Sequence, residues 1–273
     1  MIEYSDPQQL HQGNRRKRPN GSTQQRFAPM VAAPSKSRLR PVSPLVSRLP
    51  ITTRTDDIWP DADLLSLTHE VKIKSYAAGE TLQRDGDEAF HVMALKSGSA
   101  KCYKQLADGR TSVVGFLFGG DLIGLATLES YSSGIEALEP VEAWRFPRAA
   151  FRQLVAERPN LEAALLLRVT HDLEVAQEQL LLLSRKTAME RLASFLLQLS
   201  LRKNADLDGQ VMVPLHMTRA DMADYLGLTT ETVSRCFTKL RAAGLIGLQH
   251  PTSVLLLKRR ALQDLAAGST PHY

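Results

Sequence analysis

The sequence of 273 residues is poor in cysteine and in long apolar runs. Its two cysteines, Cys102 and Cys236, form no CxxC pair and no Cys/His cluster, so neither a disulfide framework nor a zinc site has support. No run of about 18 apolar residues occurs, and the N-terminus lacks the uninterrupted apolar stretch of a signal peptide. We therefore predict a cytoplasmic protein with reduced thiols and no membrane contact.

The positive charge of the chain is concentrated at its N-terminus. Residues 1–55 contain ten basic and two acidic residues and are rich in Pro, Ser, Gln and Arg. This composition predicts a disordered basic tail. Because the remaining residues carry a slight negative balance, the net charge of +5 does not by itself establish a nucleic-acid partner. Evidence for DNA binding must therefore come from a defined site.

Residues 56–158 have a sequence pattern that is typical of a small β-domain. Apolar residues make up 43% of the chain, enough for hydrophobic cores. Short strand-like runs are separated by turn pairs at roughly ten-residue spacing, which is typical of antiparallel hairpins. These pairs are Gly79-Glu80, Asp85-Gly86, Ser97-Gly98, Asp108-Gly109 and Gly119-Gly120. The pattern predicts a β-roll of about eight strands.

A long helical pattern opens at Pro159-Asn160 and meets no further proline until Pro214. Within it, apolar residues recur at steps of three and four, as in a coiled-coil seam. The seam residues are Leu166, Val169, Leu173, Ala176, Leu180 and Leu183. We expect residues 159–184 to form a dimerisation helix. The alternative is that this stripe packs on its own domain.

The last segment, residues 185–267, predicts a winged helix-turn-helix. It opens with an amphipathic helix from about Thr187 to Leu201. Thr218 begins a second helix with a capping-box-like start, and Gly227 can adopt the left-handed conformation that ends it. Thr229 caps the next helix, which is predicted from Thr230 to about Ala243. Two strand-like runs, residues 245–249 and 254–258, follow Gly244 and predict the wing.

The helix after Thr229 carries the candidate DNA contacts. Val233, Phe237 and Leu240 recur at helical spacing and are predicted to face the core. On the other face, the carboxylate, hydroxyl and guanidinium of Glu231, Ser234 and Arg235 suit base edges in the major groove. Phosphate contacts are predicted for Thr218, Thr230, Lys239 and Arg241. For each charged residue the alternative is an ordinary exposed helix face.

Several motifs resemble the Crp/Fnr family of bacterial transcription regulators, especially its Fnr/FixK branch. They are GDLIGL at residues 120–125, LLLLSRKTAMERLASFLLQLS at 180–200 and MTRADMADYLGLTTETVSR at 217–235. The resemblance implies an α+β fold with a β-roll similar to cyclic-nucleotide-binding domains, a dimerisation helix and a winged helix-turn-helix. The ExxSR motif of Glu231, Ser234 and Arg235 implies a TTGAT palindrome with an inverted ATCAA half. RNA polymerase is the further partner that the resemblance implies.

The chain departs from the family where cofactors bind. Residues 1–101 contain no cysteine, and Trp144 stands where the iron-sulfur members have a late cysteine. Asp121 replaces the glutamate of the cyclic-nucleotide binders, and no arginine occurs between Arg110 and Arg145 to pair with a cyclic phosphate. We therefore expect no iron-sulfur cluster, no cyclic AMP and no other cofactor. Haem ligation through His69, His91 or Met93 is not expected either.

Three functional hypotheses remain open from the sequence. The first is a ligand-independent homodimeric activator that binds double-stranded DNA; within it Cys236 is a possible redox switch, with an unreactive small core residue as the alternative. The second is a sensor gated by a small molecule in the β-roll. The third is a cupin-like enzyme, for which only His69 and His91 offer metal ligands in the β-domain. We predict that the chain is not an enzyme.

Overall fold

The computed structural model describes residues 71–125, 129–202, 209–250 and 252–269. All of them belong to one compact unit, Pro44–Tyr273. The predictions for the basic tail 1–55, for residues 56–70 and for His69 lie outside the described residues.

The described ranges form strands up to the first helix and mainly helices afterwards. The strands are β1 Lys72–Tyr76, β2 Thr81–Gln83, β3 His91–Ser97, β4 Ser99–Gln105, β5 Thr111–Phe118, β6 Leu122–Ile123, β7 Gly134–Ala137, β8 Val141–Pro147, β9 Val211–Pro214, β10 Ile246–His250 and β11 Ser253–Leu256. The helices are α1 Arg148–Ala156, α2 Pro159–Arg185, α3 Ala188–Leu201, α4 Arg219–Leu226, α5 Thr230–Ala242 and α6 Arg259–Ala266.

Strands β1 to β8 form the predicted β-roll. They make two antiparallel four-stranded sheets with the orders β1-β8-β3-β6 and β2-β7-β4-β5. Tight turns connect them: Gly98 has a φ of +87°, and a Cβ at this position would collide with the carbonyl of Pro140. The interior is filled by buried apolar side chains: Tyr76, Met93, Leu95, Ala100, Ile123, Ile135, Ala137, Val141 and Ala143.

Two helices follow the roll. Helix α1, which the sequence did not indicate, packs Phe151 against Phe146 of β8 with ring centroids 5.9 Å apart. Helix α2 begins at Pro159 and runs for 27 residues, with Leu161 and Leu182 as its buried residues. No helix in the described ranges is long and apolar enough to span a bilayer.

The C-terminal part is a winged helix-turn-helix within a mixed α+β fold. Helix α3 starts with a capping box between Thr187 and Glu190 and supplies much of the core. Strand β9 pairs with β11, which in turn pairs with β10, so the wing belongs to a sheet of three strands. The sequence predicted only the β10–β11 hairpin. Strand β9 was missed because its partner lies about 40 residues further along the chain.

Candidate nucleic-acid interface

The first helix of the helix-turn-helix is fixed at both ends by local hydrogen bonds. The hydroxyl of Thr218 accepts from the Asp221 amide at 3.0 Å, and the Thr218 amide donates to the Asp221 carboxylate at 2.9 Å. Burial alone raises the pKa of Asp221, but the Thr218 bonds and the nearby Lys101 outweigh it and lower that pKa below its ordinary value. At the other end, Gly227 has a left-handed φ of 61° and terminates α4.

The second helix, α5, is divided into a buried and an exposed face. The hydroxyl of Thr229 accepts from the amide of Thr232 at 3.2 Å, as a helix N-cap should. Val233, Phe237 and Leu240 are buried in the core of the domain, as predicted from their spacing. The guanidinium of Arg219 lies 3.3 Å from the ring centroid of Phe237, and its burial there lowers the pKa of Arg219.

The three predicted base-contact residues share the exposed face of α5. Glu231, Ser234 and Arg235 are all exposed. The Ser234 hydroxyl donates to the Thr230 carbonyl at 2.9 Å, so in this conformation it is free to act only as an acceptor toward DNA. The guanidinium of Arg235 makes a long contact, 3.5 Å, with the hydroxyl of Thr232. A carboxylate, an acceptor hydroxyl and a forked donor therefore lie together on one accessible helix face.

The predicted phosphate contacts lie at helix ends. Thr218 caps α4, Thr230 is in the first turn of α5, and Lys239 and Arg241 are in its last turn. All four are exposed. The hydroxyl of Thr218 donates to Asp221 at 2.6 Å, so a phosphate bond from this hydroxyl requires that bond to break. Thr230, Lys239 and Arg241, on α5, can contact a phosphate without breaking a capping-box bond.

Cys236 lies on the core side of α5 and is 4% exposed. Burial raises the pKa of its thiol, against the opposing effect of Lys239 and Arg235. Oxidation by peroxide proceeds through the thiolate, which is scarce when the thiol pKa is raised. The geometry thus gives the redox hypothesis no added support, and that hypothesis stays a prediction.

The predicted seam of α2 is exposed in the single chain. Its five large apolar residues, Leu166, Val169, Leu173, Leu180 and Leu183, are between 39% and 68% exposed, and Ala176 is exposed as well. A neighbouring face of α2 contacts the rest of the chain, where Gln179 donates to the Tyr225 carbonyl at 2.9 Å. Most of the seam is therefore left uncovered by the described residues of its own chain, although the side chain of Leu183 lies beside Gly227. An exposed apolar stripe of this kind is typical of an interface.

The β-roll docks directly on the helix-turn-helix, a contact that the sequence did not indicate. Asp224 of α4 accepts from the Val113 amide at 2.6 Å and from the Ser112 hydroxyl at 3.2 Å. Asp221 lies 3.2 Å from the ammonium of Lys101 in β4. These pairs join residues more than 100 positions apart, so no local pattern could have revealed them.

Two of the residues considered as haem ligands, His91 and Met93, have other contacts in the roll. The imidazole Nδ1 of His91 lies 3.1 Å from the guanidinium of Arg145, and the thioether of Met93 lies 3.6 Å from the Tyr76 hydroxyl. In the described ranges, His, Cys, Asp and Glu form no group of three or more that would suit a metal ion.

A winged helix-turn-helix with a polar, exposed second helix, joined through a long helix to a β-roll, defines a DNA-binding regulator. Residues 73–158 match the family model of the cyclic nucleotide-binding domain, and residues 190–265 match that of the Crp-like helix-turn-helix domain. The chain belongs to the Crp/Fnr family of transcription regulators, in its FixK/Fnr branch.

Relatives of this branch align over most of their length. The nitrogen fixation regulation protein FixK of Bradyrhizobium diazoefficiens is 35% identical over 76% of this chain and 87% of its own. The transcriptional activatory protein AadR of Rhodopseudomonas palustris is 38% identical over 71% of this chain and 80% of its own. The structure of FixK2 from Bradyrhizobium japonicum is similar with a TM-score of 0.65 at 32% identity, over 71% of this chain and 96% of that one.

Proposed function

We propose that this regulator binds a TTGAT-type palindrome as a homodimer and activates transcription, of low-oxygen or nitrogen-related genes, through contact with RNA polymerase. The observation that carries the proposal is the exposed face of α5, where Glu231, Ser234 and Arg235 present complementary donors and acceptors. Relatives named as activators and as nitrogen fixation regulators support the direction of control. Since the partner is chromosomal DNA, the proposed place of action is the cytoplasm.

The domains share this task along the boundaries expected from the sequence. Residues 159–184 provide the homodimer contact, and residues 185–267 bind DNA. Residues 56–158 contain the β-roll, on which the dimerisation helix and the DNA-binding domain pack. A two-fold dimer places its two recognition helices about 34 Å apart, one DNA turn, so that each reads one half of the palindrome. The exposed apolar seam of α2 supports this arrangement because a symmetric partner helix buries the same residues on both chains.

Ligand-independent binding is the mode that we propose. The interior of the roll is filled by buried side chains of the chain itself, and the Asp121 carboxylate is paired with two arginines of the chain. The chain would act as a regulator and not as an enzyme, in keeping with the names of its relatives. A sensor gated by a small molecule would instead bind the palindrome tightly only after its ligand is added.

The test is a fluorescence-anisotropy titration on a TTGAT/ATCAA palindrome and on a scrambled duplex, at fixed physiological salt without ligand. Arg235→Ala should lose about tenfold in affinity for the palindrome and little for the scrambled duplex, because a bidentate base contact is worth about 1–3 kcal/mol of discrimination. Lys239→Ala is the matched control. It should weaken both complexes alike and reduce the salt slope by about 1, as a phosphate contact does.

Equal, weak binding of the wild-type chain to both duplexes would contradict ligand-independent recognition. Repeating the titration with candidate small molecules then separates a missing effector from a wrong target sequence. If Arg235→Ala and Lys239→Ala had the same effect on both duplexes, the assignment of Arg235 to a base edge would be wrong.

A further inference from the structure

A buried carboxylate lies where the β-roll, the dimerisation helix and the DNA-binding domain meet. Asp121 follows β5 and is 3% exposed. Its backbone is fixed within the roll, since its carbonyl accepts from the Leu95 amide at 2.9 Å. Its Oδ2 accepts from the Phe118 amide, also at 2.9 Å. These bonds within the roll help to fix the position of the carboxylate.

Two arginines from two other parts of the chain converge on this carboxylate. Arg168 of α2 donates to Oδ1 at 2.9 Å, and Arg202, at the C-terminal end of α3, donates to Oδ2 at 2.9 Å. Arg168 also bonds Asp172 at 2.9 Å, so the cluster contains two positive and two negative charges. The guanidinium of Arg202 lies 4.6 Å from the ring centroid of Phe118, again in the roll.

The energetics favour a fixed arrangement. Removing a buried carboxylate from water costs several kcal/mol, which only well-placed partners offset. Beside the Phe118 amide of the roll, Asp121 is bonded by the guanidinium groups of Arg168 and Arg202, and these reach it only while α2 and α3 both lie against the roll. Any relative movement of these helices leaves a buried charge short of a partner. Charge-assisted hydrogen bonds of this kind are also directional, so they limit the angles that the helices can adopt.

The cluster lies where it can restrict the angle between α2 and α3. Helices α2 and α3 are joined by Lys186 and Thr187 alone. Arg168 lies 17 residues before the end of α2, about 25 Å from this joint at 1.5 Å per residue. Arg202 lies one residue beyond the end of α3, about 20 Å from the joint. Asp121 thus bonds both helices far from the joint. At that distance a small displacement of either helix changes the angle between α2 and α3 only slightly.

We propose that Asp121 is a positioning residue for DNA recognition: through Arg168 and Arg202 it sets the angle between the dimerisation helix and the DNA-binding domain, in place of an effector. The inference rests on the proposed binding of a palindrome by a dimer. Helix α2 carries the dimer seam, and α3 packs on the domain that carries α5. The angle between them therefore determines the separation of the two recognition helices in the dimer.

The experiment measures binding of the full chain to the palindrome and to the scrambled duplex, without ligand and at one salt concentration. Arg202→Met is the principal variant, because Arg202 is 41% exposed and its loss leaves Asp121 paired with Arg168. We expect at least a tenfold loss of palindrome affinity with scrambled binding unchanged, within the 5–150-fold range that is typical of coupling between sites. Asp121→Asn should show the same selective loss.

Two control variants distinguish positioning from general destabilisation. Arg202→Lys keeps the positive charge and should retain palindrome affinity to within about threefold, because Arg202 bonds one carboxylate oxygen of Asp121, at 2.9 Å, and an ammonium can donate the same charge-assisted bond. Arg110→Met removes an exposed ion pair with Asp108 in the same roll, 2.7 Å long, and should leave both affinities unchanged. Circular dichroism and thermal melting check that each variant is folded.

The two proposals fail in different ways. Wild-type discrimination that is fully kept in folded Arg202→Met overturns the positioning role and leaves the proposed function intact. Equal losses on both duplexes also overturn it, because a positioning residue affects only the binding that needs both half-sites. Absence of discrimination in the wild type contradicts ligand-independent recognition of the palindrome, and with it the inference that Asp121 acts in place of an effector.

Discussion

Protonation of His91 has a predictable effect on stability. Its imidazole faces Arg145, and burial, followed by the charge of Arg145, lowers the pKa of His91 below its ordinary value. A lowered folded-state pKa means that the unfolded chain binds the proton first as the pH falls below about 6.5. The contribution of His91 is therefore complete at higher pH and is lost on acidification. The melting temperature should fall from pH 7 to pH 5.5 more steeply in the wild type than in His91→Asn.

Parallel pH profiles for the wild type and His91→Asn would show that His91 is protonated equally in the folded and unfolded states.

The burial of Cys236 bears on the hypothesis that this residue is a redox switch. It is buried on the core side of α5, and its thiol pKa is raised. Iodoacetamide reacts with the thiolate, so alkylation of Cys236 at neutral pH should be at least about tenfold slower in the native protein than in urea. Mass spectrometry of the peptide that contains it measures this rate. Rapid labelling of the native protein would favour the redox switch. If DNA binding by Cys236→Ser then remained fully sensitive to peroxide, the redox hypothesis would be wrong.

At the scale of elements, helix α2 presents the clearest unpartnered surface. Leu180 and Leu181 are adjacent and similarly exposed, at 68% and 60%, but only Leu180 belongs to the heptad seam. Leu180→Glu places a charge within the proposed coiled-coil contact and should convert the dimer to a monomer at micromolar concentration. Leu181→Glu should leave the dimer intact. Sedimentation velocity separates the two outcomes, and equal behaviour of both variants would exclude this seam as the interface.

Elements whose signals are local could be predicted from the sequence, and those that depend on distant partners could not. The caps at Thr218 and Thr229 and the left-handed Gly227 define the helix-turn-helix because each acts within about one helical turn. Strand β9 and the bonds of Asp121 depend on residues tens of positions away. The exposed site residues of α5 were predictable from helical spacing, whereas the contacts that hold the preceding helix, α4, against the roll were not.

At the scale of the molecule, the roll and the DNA-binding domain share a hydrophobic core. The ring of Phe116 in β5 lies 5.3 Å from that of Tyr225 and 5.8 Å from that of Phe195. Val113, on the same strand, is part of the cluster that contains the core of the winged helix. Burial also raises the pKa of Tyr225 to about 12, so this tyrosine stays neutral at physiological pH. The two domains should therefore unfold together rather than as separate units.

This continuity predicts how a truncation at the domain contact behaves. Phe116→Ala removes the ring that bridges two aromatic partners and should lower the free energy of unfolding by about 2–4 kcal/mol. Val114→Ala, on the same strand and 49% exposed, should change it by less than about 0.5 kcal/mol. Urea unfolding at one protein concentration, followed by circular dichroism and tryptophan fluorescence, should give coincident curves for the wild type and separated curves for Phe116→Ala. Coincident curves with undiminished stability in Phe116→Ala would mean that the polar contacts of Asp221 and Asp224, rather than the aromatic cluster, couple the two domains.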